Sequence, residues 1–227
     1  MKTRGFARDE DGRLIPPGMT EVAYQQNFLL GETLPTWLTA PTGTAAASSW
    51  SSTAPGGMSI ATSGTVDGDA TLLGPAIHQN QFAAVAFEVR GLRFTGMFTS
   101  LLQFGLQSQT TPYGGAGIVQ RHTEDWASFY IPGQGSTEFG RMGYTLRTLG
   151  ESVKYRNIGF IYNCRTRTAM FYEDDPAYPI GTLDVGTSLV QSGPIYPTLR
   201  LQAKAATVQS MRFAQVRLRL WPEPHAG

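Results

Sequence analysis

Apolar and polar residues alternate along this chain with a period of two, and the alternation recurs in segment after segment. In Phe82–Arg90, Ala83, Val85, Phe87 and Val89 share one face while Glu88 and Arg90 take the other. In Leu101–Gln107, Leu102, Phe104 and Leu106 oppose Gln103 and Gln107. Phe129 and Ile131 alternate with Ser128 and Tyr130, and Ile158, Phe160 and Tyr162 repeat the pattern. After the polar stretch Cys164–Thr168, which reads as a hairpin turn, Met170 and Tyr172 continue it. Leu199, Leu201 and Ala203 alternate with Arg200, Gln202 and Lys204. Near the C-terminus Met211 and Phe213 hold one phase, and Val216, Leu218 and Leu220 hold the opposite one. The slip at Ala214-Gln215 predicts a β-bulge, with Arg212, Arg217 and Arg219 on the solvated side. One buried and one wet face per strand is the signature of antiparallel sheets.

No segment carries a 3.6-residue apolar stripe over ten residues or more, so the expected fold is all-β: two packed antiparallel sheets in one domain. Long loops expected at 64–80, 108–117, 132–142 and 173–195 favour a jelly-roll sandwich over an immunoglobulin-like one. The charge-poor stretch from Pro35 to Gly68 contains Trp37, Trp50, Met58 and Ile60, and reads as short edge strands and loops rather than a linker. The expected organisation is an N-terminal arm over 1–21, a β-sandwich over 22–222 and a short tail over 223–227. Residues 1–18 are polar and end in Pro16-Pro17-Gly18; alone they would be disordered, which makes them a candidate anchor on a partner chain. Phe6, Arg8, Arg13, Leu14 and Ile15 are its candidate contacts.

Composition narrows the function. The 227 residues carry a net charge of +1, with 18 basic and 17 acidic residues, so the footprint of a general nucleic-acid binder is missing. Three arginines on the last strand do not overturn that. Charged residues make up 15%, below the roughly 25% of average soluble domains. No run approaches the about 18 apolar residues of a membrane-spanning helix, and no apolar stretch follows the basic start as in a secretion signal. With one cysteine, Cys164, a disulfide framework or a multi-cysteine metal site is excluded within this sequence.

The motifs of nucleotide binding, zinc proteolysis and serine hydrolysis are missing. The acid clusters Asp9-Glu10-Asp11, Asp67-Gly68-Asp69, Glu124-Asp125 and Glu173-Asp174-Asp175 all fall on expected turns, without the alternate spacing that puts two carboxylates into one glycosidase cleft. Asp67 with Asp69, or Asp174 with Asp175, offers part of a Ca²⁺ site, and an Asx-type turn is the competing reading. The arginines near Cys164 could lower its pKa, yet no base accompanies it, and a plain turn thiol is expected. No catalytic residue, metal site or cofactor is expected. Aromatics in polar loops are more suggestive. Tyr113, His122, Asp125, Trp126 and Tyr130 are the candidate glycan-binding residues, because a ring stacks on a sugar's C–H face while acids and amides grip its hydroxyls. The same rings could instead seal the ends of the sandwich.

The succession FAAVAFEVRG, MFTSLLQFGLQ, NIGFIYNCRTRTAMFYEDDP, PTLRLQAKA and RFAQVRLRLW, over about residues 70–221, resembles the concanavalin A-like lectin and glucanase sandwiches. The catalytic acids of that family and the metal ligands of its legume lectins do not map onto this sequence. The whole chain also resembles small β-sandwich minor tail, appendage or decoration proteins of tailed phages of actinobacteria, in its short charged arm, its Thr/Ser/Ala/Gly-rich first third and its preference for Arg over Lys. That resemblance implies a non-enzymatic virion component assembled in the bacterial cytoplasm. It would contact other virion proteins through residues 1–18, form a homo-oligomer and display a sandwich toward host-surface glycans, with no nucleic-acid or membrane partner. The alternative is a free carbohydrate-binding or glycan-hydrolysing domain.

Overall fold

The computed structural model describes residues 7–8, 14–15, 22–29, 33–43, 47–51, 57–94, 100–107, 115–120, 127–130, 156–184 and 193–223. The strands begin with β1 (Ala7–Arg8), β2 (Leu14–Ile15), β3 (Val22–Asn27), β4 (Thr39–Thr42), β5 (Ala47–Ser51) and β6 (Gly57–Ala61). There follow β7 (Asp69–Leu73), β8 (Ile77–His78), β9 (Phe82–Phe94), β10 (Ser100–Gln107), β11 (Gly115–Gln120) and β12 (Ala127–Tyr130). The last six are β13 (Arg156–Asn163), β14 (Thr168–Glu173), β15 (Pro179–Asp184), β16 (Pro194–Ala203), β17 (Ser210–Phe213) and β18 (Gln215–Pro222). A 3-10 turn at Gln79–Gln81 is the one helical piece among the described residues, and no helix there is long and apolar enough to cross a membrane.

Two antiparallel sheets face each other. The front sheet has seven strands in the order β12-β11-β10-β16-β7-β4, with β8 also on β16. The back sheet has nine, in the order β15-β14-β13-β9-β17-β6-β5, with β18 continuing beside β9 and β3 outside it. This is the expected all-β, two-sheet sandwich. Strands β4 and β5 close two sheet edges, as expected for the Pro35–Gly68 region. The arm is not featureless: Ala7 pairs with Ile15 and Arg8 with Leu14 in a small hairpin. Phe6 and Arg13 lie outside the described residues.

The inward faces follow the sequence pattern. Val85, Phe87 and Val89 on β9, Phe160 on β13, Leu199 and Leu201 on β16, and Leu102, Phe104 and Leu106 on β10 form one buried cluster. Phe104 of the front sheet ties the layers together, its ring 5.7 Å from Phe87 and 5.5 Å from Phe160. The slip at Ala214 is confirmed: Met211 and Phe213 before it, and Val216 and Leu218 after it, are all fully buried.

Four expectations need correction. Strands β7 and β8 lie inside the expected loop 64–80, β11 starts inside 108–117, and β15 lies inside 173–195. In β14 the inward residues are Ala169 and Phe171, not Met170 and Tyr172. Tyr172 is instead buried on the outer face, across from Gly159. A Cβ at Gly159 would sit 2.2 Å from Cζ of Tyr172, so only glycine lets that ring lie flat on the sheet. Glu88 and Arg200, expected on wet faces, are each only 2% exposed, and Gln202 is buried too. Glu88 is paired with Arg90 there, and Arg200 with Asp69 and Gln103. Asp69 sits on a strand rather than a turn.

Candidate functional site

The outer face of the front sheet carries a registered array of polar side chains. On β16, Arg200 stands opposite Gln103 of β10 on one side and Thr71 of β7 on the other. Directly opposed residues share a face, so these three strands place their polar residues side by side. The Arg200 Nε donates to Asp69 Oδ2 at 3.0 Å, and its Nη1 donates to Gln103 Oε1 at 2.8 Å. The Thr71 hydroxyl donates to the same Asp69 oxygen at 3.3 Å. The Arg200 side chain is 3% exposed and that of Asp69 15%, so the guanidinium forms a floor on which two more accessible groups are oriented. With Oε1 of Gln103 and Oδ2 of Asp69 turned to the arginine, the Gln103 Nε2 donor and the Asp69 Oδ1 acceptor are the groups left to meet a ligand. A paired buried charge of this kind stands only with such hydrogen bonds.

Gly43, at the end of β4, holds Asp69 from the side. Its φ is +139°, and a Cβ there would come within 2.1 Å of the Asp69 carbonyl oxygen. Below, Thr198 and Gln107 are buried polar residues of the same sheet. Gly105 of β10 pairs with Gly117 of β11, so two adjacent strands carry no side chain at that register.

One end of this sheet is clamped by two loops. The Lys204 ammonium donates to Asp67 Oδ1 at 2.6 Å, and Asp67 N donates to the Ala203 carbonyl at 2.8 Å. That hydrogen bond and the lysine charge hold the Asp67 carboxyl below its ordinary range. Both acids of the Asp67-Gly68-Asp69 cluster are therefore occupied by cations of the protein. Asp175 Oδ1 accepts from Ala177 N at 2.8 Å, the Asx turn that competed with a Ca²⁺ reading. No cluster of three or more metal-ligating side chains occurs among the described residues.

Of the glycan-binding residues expected from sequence, Tyr113, His122, Asp125 and Trp126 lie outside the described residues. Tyr130 pairs with Gly117 at the end of β12, and its side chain also lies outside them. The strands still order these positions. Tyr113 precedes the Gly115 end of β11, whereas His122, Asp125 and Trp126 follow its Gln120 end. Those ends are about 17 Å apart at strand rise, so chain order ties Tyr113 to one end and His122, Asp125 and Trp126 to the other. Gln103 stands opposite Val119, next to the end that leads to His122. The Asp69–Arg200–Gln103 group was missed at the sequence level. Its signal was Asp69-x-Thr71, an alternating polar pair entering a Leu-rich segment.

Cys164 does not behave as an activated thiol. Burial, and secondarily the Glu223 charge, push it up to about 12, against the lowering that nearby arginines suggested. Tyr162 is likewise pushed up to about 12, chiefly by burial, while its hydroxyl donates to Gln79 Oε1 at 2.8 Å. Arg165 donates through Nε to Glu223 Oε1 at 2.7 Å, and through Nη2 to the other carboxylate oxygen, fastening the end of β18 to the β13–β14 turn.

No protein-family model matches the chain, and no curated protein matches it. Solved structures do. A Shewanella oneidensis protein of unknown function superposes with a TM-score of 0.60 at 12% identity, covering 89% of this chain and 87% of that one. Peanut lectin gives 0.58 at 9% identity over 90% and 99% of the two chains. The carbohydrate recognition domain of Emp46p gives 0.56 at 12% identity over 86% and 95%. At these identities the likeness shows the fold alone: this chain has the two-sheet sandwich fold of those lectin structures.

Proposed function

We propose that this chain is a carbohydrate-binding domain that takes a glycan on the outer face of its front sheet, at Asp69 and Gln103. The observation that carries the reading is the Arg200 bridge. One buried guanidinium orients a carboxylate and an amide so that an acceptor and a donor are presented together, the pair that grips neighbouring sugar hydroxyls. The lectin-like fold supports it. Trp126, beyond the Gln120 end of β11, is proposed as the aromatic platform beside this pair. Binding rather than hydrolysis is the reading because Asp67 and Asp69 each answer a cation, unlike the paired carboxyls of a glycosidase. A glycan array probed with wild-type protein, Gln103→Ala and Trp126→Ala tests this. Binding by the wild type that both variants weaken, Gln103→Ala by about tenfold, at unchanged melting temperature is the expected result, and a wild type that binds no glycan defeats the reading.

The finer placement we propose is a tailed-phage virion, with residues 1–18 anchoring a homo-oligomeric protein to other virion proteins. The sequence resemblance supports it, as does the arm's hairpin, which forms a sheet of its own among the described residues. Deleting residues 2–18 is expected to abolish incorporation into particles while the sandwich stays folded; normal incorporation would overturn the anchoring role.

A further inference from the structure

The back sheet ends in a step. Strands β17 and β18 lie end to end along β9, the first beside residues 93–94 and the second beside residues 82–90. One position further out, β6 lies beside β17 and β3 beside β18. Strand β5 then covers β6, whereas among the described strands none covers β3. The exposure of β3 agrees, because Val22, Ala23, Tyr24 and Gln25 are exposed one after another. A strand that hides one face alternates between buried and exposed residues. Four exposed residues in a row place water on both faces of this edge. Native sheets blunt their edges with proline, charge or a bulge, and two other edges here do so. Strand β4 holds Pro41, and its pairing shifts between Thr39 and Thr42. Strand β15 begins at Pro179 and ends at Asp184, and its pairing with β14 shifts between Phe171 and Tyr172. Strand β3, with the sequence VAYQQN, has no proline, no glycine and no charged residue. It runs in unbroken register from Val22 opposite Leu220 to Asn27 opposite Gln215. Such an edge is a template for another strand.

The side chains of β3 say what that strand carries. Val22, Tyr24 and Gln26 stand opposite Leu220, Leu218 and Val216, which are buried in the core, so all six share the inward phase. Val22 and Tyr24 are nonetheless each 39% exposed. The Tyr24 ring lies 5.8 Å from that of Trp37, which packs on the core from the connection between β3 and β4. An added strand would continue the inward phase and set its own alternate side chains beside Val22 and Tyr24. We propose that β3 accepts an extended segment of another protein, apolar at alternate positions, as an added strand of the back sheet. Main-chain pairing along the open edge would supply affinity, and the half-exposed Val22 and Tyr24 would select the apolar phase. A second copy of this chain fits less well. Opposed residues share a face, so the two antiparallel registers of β3 on itself with the fullest overlap centre on Tyr24 or on Gln25. The first sets Val22 against Gln26 and the second sets Tyr24 against Gln26, so each places an apolar residue opposite an amide.

This edge is separate from the front-sheet pair, and its test is independent of it. Full-length protein is titrated with a synthetic peptide as long as β3, with valine and threonine alternating between lysine ends. One control peptide is methylated on every amide nitrogen, and a second has serine in place of valine. The expected result is that the alternating peptide binds and slows hydrogen exchange at the amides of β3, and not at those of β4 or β15. The methylated peptide should not bind, because it cannot donate to the edge, and the serine peptide should bind about tenfold more weakly. Tyr24→Lys should weaken binding of the alternating peptide, and Gln103→Ala should leave it unchanged. A folded wild type that ignores the alternating peptide overturns the proposal. So does equal binding of the methylated peptide, or exchange protection confined to strands other than β3. A wild type that self-associates in light scattering, with the β3 amides already protected and released by Tyr24→Lys, makes a second copy the occupant and overturns it too.

Discussion

The two outer faces of the sandwich differ although both strands sets obey the same alternation. The front face gathers a neutralised ion pair with amides and hydroxyls around Arg200. The back face lines up arginines on neighbouring strands and lays Trp221 against Ala84 and Ala86, and Tyr172 against Gly159. On the front face the cation is an internal strut; on the back face the cations form the surface itself. The same residue type thus sits in two surroundings that differ in how much water remains: Arg200 is buried, while Arg90, Arg93, Arg212, Arg217 and Arg219 are partly exposed.

That contrast can be broken at its strongest point first. Arg200→Ala leaves Asp69 without its buried cation and Gln103 without its anchor. It is expected to cost about 3 kcal/mol in chemical denaturation and to abolish glycan binding. Gly159→Ala on the back sheet drives a methyl into the Tyr172 ring and is expected to cost about 2 kcal/mol, measured in the same way, with glycan binding retained. Gln103→Ala is expected to lose about tenfold in glycan affinity, the worth of about one hydrogen bond, while the melting temperature holds. If Gln103→Ala destabilises as strongly as Arg200→Ala, the front array is structural and the contrast collapses.

Alkaline pH sharpens the picture at the β13–β14 turn. The Cys164 thiol and the Tyr162 hydroxyl keep their protons in the fold up to about 12, whereas the unfolded chain releases them at the ordinary values of 9.0 and 10.0. The native state then binds more protons than the unfolded one, so stability falls as pH rises from about 9 to 12. Cys164→Ala is expected to flatten the lower part of that fall. In the native protein at pH 8 the thiol should resist iodoacetamide and react once the chain is denatured. The smallest effect is expected from Arg165→Ala, an exposed pair whose loss should leave the melting temperature nearly unchanged.

The inward half of each strand was legible from the sequence. Val85, Phe87 and Val89, or Leu199, Leu201 and Ala203, bury where alternation puts them, and the phase slip at Ala214 is visible as a break in period. The outward half was not. Polar letters at alternate positions do not tell a solvated side chain from a buried and paired one, so Glu88 and Arg200 were read as wet. In β14 the residues Ala169 to Tyr172 are apolar throughout, and a period of two cannot choose a phase there. Asp69 was read as a turn acid because Asp67-Gly68 precedes it. Its role depends on Arg200, a residue 131 positions away that only the sheet register brings to it.

The most direct test of the front-face account is a calorimetric titration of the best glycan from the array into wild-type protein, Gln103→Ala and the arginine-face variant Arg212→Gln/Arg217→Gln. The account predicts that Gln103→Ala loses about tenfold while the arginine-face variant matches wild type. Undiminished affinity in Gln103→Ala, or loss confined to the arginine-face variant, would contradict it.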